Sequence, residues 1–430
     1  MIPLAEARSI VLDRCPPRPP VWTPVDAALG CVTARPVVSA VPVPPFDNSA
    51  VDGYAVRAAD VRTAHVVLDE VAAVMAGTST DRVLGDGEAI RIMTGAPLPA
   101  GTGAVAMIED VEVLPAVGGS GGAIRVGRAL AAGENLRRAG DDIVVGQEVV
   151  PTGTVLSPAH IGVLVSVGVD GVEVVPRPRV GVLSTGDELT PLPEPLGPGG
   201  IRDSNRHMLL GLVGQAGFDP IDLGVVPDDE ERVAAVLQDA AMRCDAIVTS
   251  GGVSVGDRDV VKATLDGLTG GAMRWMQIAI RPAKPFAFGL LGEGRVPVFG
   301  LPGNPVSALV SFELLAGPAL RRMAGRHRID RPVVRARAAT NLIRRPDGKV
   351  HFARVVAGWT PEGSITVAPV PGQQSHQLHA MAEANALAVL PDGPGVAAGD
   401  AVHVLLLDVE HLPGALGIGG VVDALTGETA

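Results

Sequence analysis

The sequence predicts a multidomain chain of α/β plus β type, with a central doubly wound α/β domain between two β-rich regions. Three observations predict it. Its 430 residues exceed what a single hydrophobic core usually organises. Between residues 180 and 268, short apolar runs alternate with amphipathic stretches at the spacing of βαβ units. Before and after that block, residues 65–150 and 333–407 read as short extended runs divided by glycine or proline turns.

Taken in order, Pro3 precedes Leu4, Ala7 and Val11 at helical spacing, which predicts a short amphipathic helix. Cys15-Pro16-Pro17-Arg18-Pro19-Pro20 ends it, because proline removes the N–H donors a helix needs. Residues 37–45 are extended and proline-punctuated, and 46–56 form a polar loop running into a strand that carries Tyr54, the one tyrosine. Extended runs follow at 66–74, 88–93, 104–109 and 124–126, an all-β module closed by the charged turn 135–142. Ser157-Pro158 is an N-cap and first-turn pair for a helix to about Gly168. A strand at 172–175 and a linker at 176–179 come next. The alternation then reads strand 180–183, helix 205–215, strand 221–225, helix 230–242, strand 246–248 and helix 260–268. A strand at 297–300 leads through 301–307 into a helix ending near Gly325. The basic connector 326–331 joins it to the last β-rich segment, and the stretch after Pro413 reads as a loosely ordered tail.

Composition narrows the function. A net charge of −12 argues against a nucleic-acid or polybasic membrane surface. No uncharged apolar run reaches the ~18 residues of a membrane span, and the start of the chain lacks the basic-then-apolar pattern of a secretory leader. Cys15, Cys31 and Cys244 are odd in number and far apart, which signals neither disulfides nor zinc and fits a reducing cytoplasm.

The candidate site lies at the carboxyl ends of the parallel strands, where open α/β sheets bind ligands. Ser250-Gly251-Gly252 breaks the 246–248 strand and frees backbone N–H groups for an anion. Acidic residues follow three strands: Asp187 and Glu188, Asp228, and Asp257 and Asp259. Singly each is more often a cap or solvated, as Asp229 is expected to be. Three strands sharing the pattern favour an oxygen site for a hard cation such as Mg²⁺, completed by substrate phosphates. Lysine is scarce, yet Lys284 stands with Arg281 in a segment stiffened by Pro282 and Pro285; a rigid pair of cations suits an oxyanion, and a solvated basic turn is an equal reading. Gly303-Asn304-Pro305-Val306-Ser307 is either an anion site or a capping turn. There is no Walker loop, no dinucleotide fingerprint and no evident nucleophile–base pair, which favours metal-assisted and electrostatic chemistry.

Five motifs in order, residues 46–54, 91–97, 184–189, 250–256 and 301–307, give the chain its resemblance to the molybdopterin molybdenumtransferase family, which includes the E domain of gephyrin. The resemblance covers roughly residues 1–408. It implies a linker domain from 1–45 with 143–177, an inserted β module at 46–142, a molybdopterin-binding α/β domain at 178–326, a C-terminal β-barrel at 330–408 and a tail from 409 to 430. It also implies a cytoplasmic homodimer that inserts molybdate into adenylylated molybdopterin with Mg²⁺ and loss of AMP. The partners it implies are small-molecule substrates, a molybdopterin adenylyltransferase and acceptor molybdoenzymes, with no nucleic acid or membrane.

Residue by residue, Asp187, Glu188, Asp228, Asp259 and Lys284 resemble the family's catalytic positions, and Glu188, Asp228 and Asp259 its metal positions. Ser250, Gly251, Gly252, Ser254 and Asp257 resemble its pterin-nucleotide turn. Lys284, Ser307, Arg354 and Ser375 fall where relatives bind molybdate, and Arg281, Pro302 and Asn304 are implied as further substrate-binding residues. Asp52, Thr94, Arg137 and Asp142 match positions that a second subunit's β module would bring to the cleft. Arg281 replaces a lysine common in relatives, keeping charge but changing an ammonium for a planar fork. A related adenylyltransferase would need only the α/β part. A tungstate-selective paralogue and a non-catalytic molybdopterin-binding scaffold remain alternatives.

Overall fold

The computed structural model describes residues 1–115, 122–252 and 260–414. The chain divides into two compact units, one of residues 1–21, 30–32 and the chain from 175 on, the other of residues 22–29 and 33–174.

In the first unit a six-stranded sheet runs in the order Asp219–Val226, Arg179–Thr185, Ala246–Ser250, Val296–Leu301, Pro285–Leu291, Arg274–Gln277. The first four strands are parallel, as the alternation predicts. The last two are antiparallel and make the sheet mixed; the proline-flanked stretch after Lys284 is a strand rather than only a stiff turn. The sheet is covered on both faces. Val180, Val182, Ala246 and Val248 pack with Leu209 and Val213 of helix Ser204–Gln215 on one side. Leu183 and Ile247 pack on the other with Val233, Leu237, Val261 and Leu265 of helices Glu230–Arg243 and Val260–Leu268. The period-2 alternation along each strand produces these two cores. Asp229 caps its helix as expected, accepting the Arg232 N–H at 2.9 Å.

The long helix predicted after residue 305 has three parts: Pro305–Ser311, a π turn at Phe312–Ala316, and Gly317–Met323. Pro318 cannot donate to the Leu314 carbonyl four residues back, and Arg8 Nη1 takes that carbonyl at 2.6 Å instead. The donor comes from helix Leu4–Leu12, whose Ala7 and Val11 are fully buried in this same core.

Downstream, Val350–Trp359, Ile365–Pro369, Val333–Ala338, Ala401–Leu406 and Ala386–Leu390 pair in a ring, since the first strand also pairs with the last. The result is a closed five-stranded barrel with no free edge. The short strand Ile280–Arg281 adds to its rim, parallel to Val350 and His351.

The second unit is built on a six-stranded sheet in the order Ala104–Met107, Gly53–Val56, Glu88–Ile92, Val66–Val74, Ala123–Val126, Val111–Leu114. Gly53 is required here, because a Cβ would stand 1.8 Å from the Ala106 carbonyl oxygen. Helix Pro158–Ser166 starts at Ser157 as predicted, with a capping box closed by His160. Among the described residues no helix is long and apolar enough to cross a membrane.

Candidate active site

Two hollows flank one loop at the carboxyl ends of the parallel strands. The first is a narrow cleft of about 110 Å³ at the glycine turn. Gly251 and Gly252 have φ of +96° and +69°, which L side chains rarely adopt, and a Cβ on Gly252 would meet Val261 at 2.2 Å. Asn205, in the first turn of its helix, holds the cleft in shape. Its Nδ2 donates to Ser250 Oγ at 2.8 Å and to the Gly303 carbonyl at 2.7 Å. Its Oδ1 and the Thr185 Oγ1 are buried with no hydrogen-bond partner in the protein. Buried oxygens are seldom left so, and each can receive a ligand donor or a hard cation.

Asp203 also lines the cleft but is already engaged. It accepts from Ser184 Oγ at 2.9 Å and from Arg206 Nε at 2.7 Å, and Arg206 pairs in turn with Asp222. Glu188, exposed, lines the opening. Asp187 Oδ1 accepts the Asp228 backbone N–H at 3.1 Å, so those two strand ends meet. Ser254, Asp257 and Asp259 lie outside the described residues. Among the described residues no three His, Cys, Asp or Glu stand in metal-holding geometry.

The second hollow, about 280 Å³, is a basin lined by Arg281, Lys284, Lys349, Asn304, Ser307 and Ser375. Each is placed by a different constraint. The Ile280–Arg281 strand ties the cationic segment to the barrel, and the Ile278 N–H holds the Lys284 carbonyl at 2.7 Å. Lys349 Nζ rests 3.4 Å from Asp347, which also binds Arg344 at 2.8 Å and His351 at 3.0 Å. The Val306 N–H donates to the Ser375 carbonyl at 3.1 Å, fastening the 373–375 loop to the helix that carries Ser307.

Arg354 does not line this basin. Its side chain is buried, with Nη2 donating to the Gly372 carbonyl at 2.6 Å and Nη1 to the Gln374 carbonyl at 3.1 Å, while its backbone N–H and C=O grip Gln373. Burial lowers the affinity of that guanidinium for its proton. Its geometry makes Arg354 a positioning residue for the loop of Ser375. Pro302 is buried in the turn and lines neither hollow.

The loop between the hollows is a shared wall. Gly303 and Pro305 face the cleft, while Asn304 and Ser307 face the basin.

In the second unit, Asp52 accepts from the Thr94 N–H at 2.7 Å and from its hydroxyl at 2.8 Å, bonds that hold the carboxyl below its ordinary range. Arg137 pairs with Asn48 across a short antiparallel ladder, and its guanidinium reaches the Ala50 carbonyl at 3.5 Å. Asp52 and Thr94 are thus held together, and Arg137 reaches the backbone two residues before Asp52. Asp142 sits further along the turn, its N–H on the Val43 carbonyl at 2.9 Å.

A molybdopterin molybdenumtransferase of Haemophilus influenzae is 36% identical over 406 residues, covering 94% of this chain and 98% of that protein. This chain belongs to the molybdopterin molybdenumtransferase family. A second relative, molybdopterin molybdenumtransferase 2 of Mycobacterium tuberculosis, is 36% identical over 90% of the chain and 94% of its own length. Residues 2–168 match the MoeA N-terminal region (domain I and II), 181–322 a probable molybdopterin binding domain, and 335–407 the MoeA C-terminal region (domain IV). The crystal structure of a molybdopterin biosynthesis moeA protein from Pyrococcus horikosii superposes with a TM-score of 0.74 at 32% identity, over 95% of this chain and 99% of that one.

Sequence reading did not single out Lys349, Asn205, Thr185 or Gln373 as site residues. Lys349 carried a usable sign, being one of three lysines in the chain and set in the turn Pro346-Asp347-Gly348. The other three carried none, since amides and hydroxyls after strands are ordinary.

Proposed function

We propose that the chain completes the molybdenum cofactor, inserting molybdate into adenylylated molybdopterin with hydrolytic release of AMP. The observation that carries this reading is the pair of hollows on one wall. The basin brings three cations, two hydroxyls and the amide residues Asn304, Gln373 and Gln374 around about 280 Å³, room for a tetrahedral dianion with water, and forked or ammonium donors are what such anions select. The cleft beside it offers a glycine turn and the Thr185 hydroxyl to a phosphate ester, while the Asn205 Oδ1 suits a donor or a cation.

In this reading Lys284, Arg281 and Lys349 neutralise molybdate, Ser307 and Ser375 orient it, and Arg354 holds the Ser375 loop. Ser250, Gly251 and Gly252, with Ser254 and Asp257, take the pterin nucleotide. Glu188, Asp228 and Asp259 would hold Mg²⁺, and the unpaired Thr185 and Asn205 oxygens fit an all-oxygen shell. Bound there, Mg²⁺ would screen the phosphate charge as the phosphoanhydride opens. Asp187 accepts the Asp228 N–H and so braces that strand end. Asp52, Thr94, Arg137 and Asp142 of a second subunit complete the site in a homodimer. Three buried free cysteines accord with a reducing cytoplasm.

The test is AMP release from adenylylated molybdopterin with Mg²⁺, with and without molybdate, scoring cofactor by activation of a cofactor-free molybdoenzyme. Molybdate-dependent release with active cofactor is expected. Release driven by tungstate alone would make the chain tungstate-selective, and binding without turnover would make it a scaffold.

A further inference from the structure

At the opposite, amino-terminal edge of the α/β sheet lies a cavity of about 470 Å³ that the proposed reaction does not use. Three arginines line it from three separate elements. Arg14 comes just after helix Leu4–Leu12, Arg274 opens the edge strand Arg274–Gln277, and Arg295 sits in the hairpin turn before Val296–Leu301. Arg295 is held at φ +51°, a conformation that a non-glycine residue rarely adopts, with its N–H on the Gly292 carbonyl at 3.1 Å.

None of the three makes a salt bridge with a described carboxylate; Arg14 has only a long bond of 3.4 Å to the Ile10 carbonyl. Two nearby acids have other partners. Asp13 accepts from Ser9 at 3.0 Å, Asp266 from Trp275 Nε1 at 2.9 Å, and Glu293 does not line the cavity.

An adjoining cavity of about 420 Å³ shares Arg14 and Arg295 and gives the contrast. There Arg18 is neutralised by Asp245 at 2.9 Å, which Arg179 also binds. On that side Arg18 and Arg179 have a counter-charge in Asp245, while the shared Arg14 and Arg295 have none among the described carboxylates. On the Arg274 side three exposed arginines line the cavity with Met273, Phe288 and Leu290 and make no salt bridge with a described carboxylate. Like charges gathered without counter-charge repel one another, and a bound polyanion removes that repulsion.

We infer that this cavity is a second anion site, for a small molecule bearing a phosphate or pyrophosphate group, which the Arg14, Arg274 and Arg295 guanidiniums clamp by forked hydrogen bonds. Its volume is that of a nucleotide-sized ligand pocket. The inference does not rest on the proposed reaction.

The test titrates inorganic pyrophosphate calorimetrically into the full chain carrying Lys284→Ala, so that the basin contributes least. Binding is expected to persist, to weaken with added salt, and to fall at least tenfold when Arg274→Gln and Arg295→Gln are added. Those two exposed changes, made in the natural chain, should leave molybdate-dependent AMP release and the melting temperature unchanged. The inference is overturned if the double change leaves pyrophosphate affinity as it was, or if Lys284→Ala alone abolishes binding. It is equally overturned if the double change acts only by lowering the melting temperature.

Discussion

The basin beside Lys284 and the cleft beside Gly251 share the wall 301–307 but hold opposite chemistry. One is cations and hydroxyls on rigid supports, and the other is two carboxylates, a glycine turn and two unpaired oxygens. The supports differ too. The basin is assembled from the α/β sheet edge and the barrel, through the Arg281–His351 pairing and the Val306–Ser375 bond. The cleft is assembled inside the sheet, from three strand ends and the Asn205 clamp. A site that must bring a free oxyanion to a phosphorylated organic partner gains by separating the two recognitions while keeping them one loop apart. The comparison teaches that substitutions on either side should separate the two substrates kinetically, and substitutions in the wall should not.

The largest effect is expected for Lys284→Ala, which removes a charge-assisted donor from the basin. We expect the molybdate KM to rise roughly 100-fold, the upper end of what a bond to a charged group is worth, with the KM for the adenylylated pterin unchanged. Steady-state kinetics with each substrate varied in turn checks this. Glu188→Gln should do the reverse, raising the KM for the adenylylated pterin about 30-fold and the Mg²⁺ requirement with it while molybdate affinity stays put. Asn205→Ala attacks the wall itself. It strands the Gly303 carbonyl and Ser250, so both KM values should rise and denaturant midpoints should show a loss of about 2 kcal/mol. Lys349→Met is milder, because that cation is already shared with Asp347; about a fivefold rise in molybdate KM alone is expected.

The smallest effect is a pH dependence of stability behind the cleft. Burial alone would raise the Asp222 carboxyl, but the Arg206 hydrogen bond and charge, with the Gly224 N–H, hold it below its ordinary range. A depressed carboxyl contributes stability that is fully present above its unfolded value and is lost as pH falls through the folded one. Asp222→Asn should therefore cost up to about 1 kcal/mol at neutral pH, discounted because the carboxylate is half exposed, and nothing in acid below that range. Thermal melts of both proteins across pH check it.

Much of this was legible in the sequence, for physical reasons that can be named. Strands 180–183 and 246–248 were legible because burial on both faces demands an unbroken apolar run, although hydrogen bonding carries them on to Thr185 and Ser250. Ser157 and Asp229 were legible because capping is local chemistry. The antiparallel strands Arg274–Gln277 and Pro285–Leu291 were not, since prolines at 282 and 285 read as turn and the pairing that makes them strands is non-local. In the site, Lys284 and Gly251 announced themselves by scarcity and by backbone need. The contrast at Arg354 shows the limit: a sequence gives the guanidinium, but only the fold reveals that carbonyls of residues 372 and 374 take Nη2 and Nη1 and leave Nε without a partner.

The most direct test of the two-hollow account is equilibrium dialysis of radiolabelled molybdate, alongside binding of adenylylated molybdopterin, to Lys284→Ala and Glu188→Gln. The account predicts crossed losses: the first variant loses molybdate and keeps the pterin nucleotide, and the second keeps molybdate and loses Mg²⁺-dependent nucleotide binding. Parallel loss of both ligands in either variant, or undiminished molybdate binding by Lys284→Ala, would contradict it.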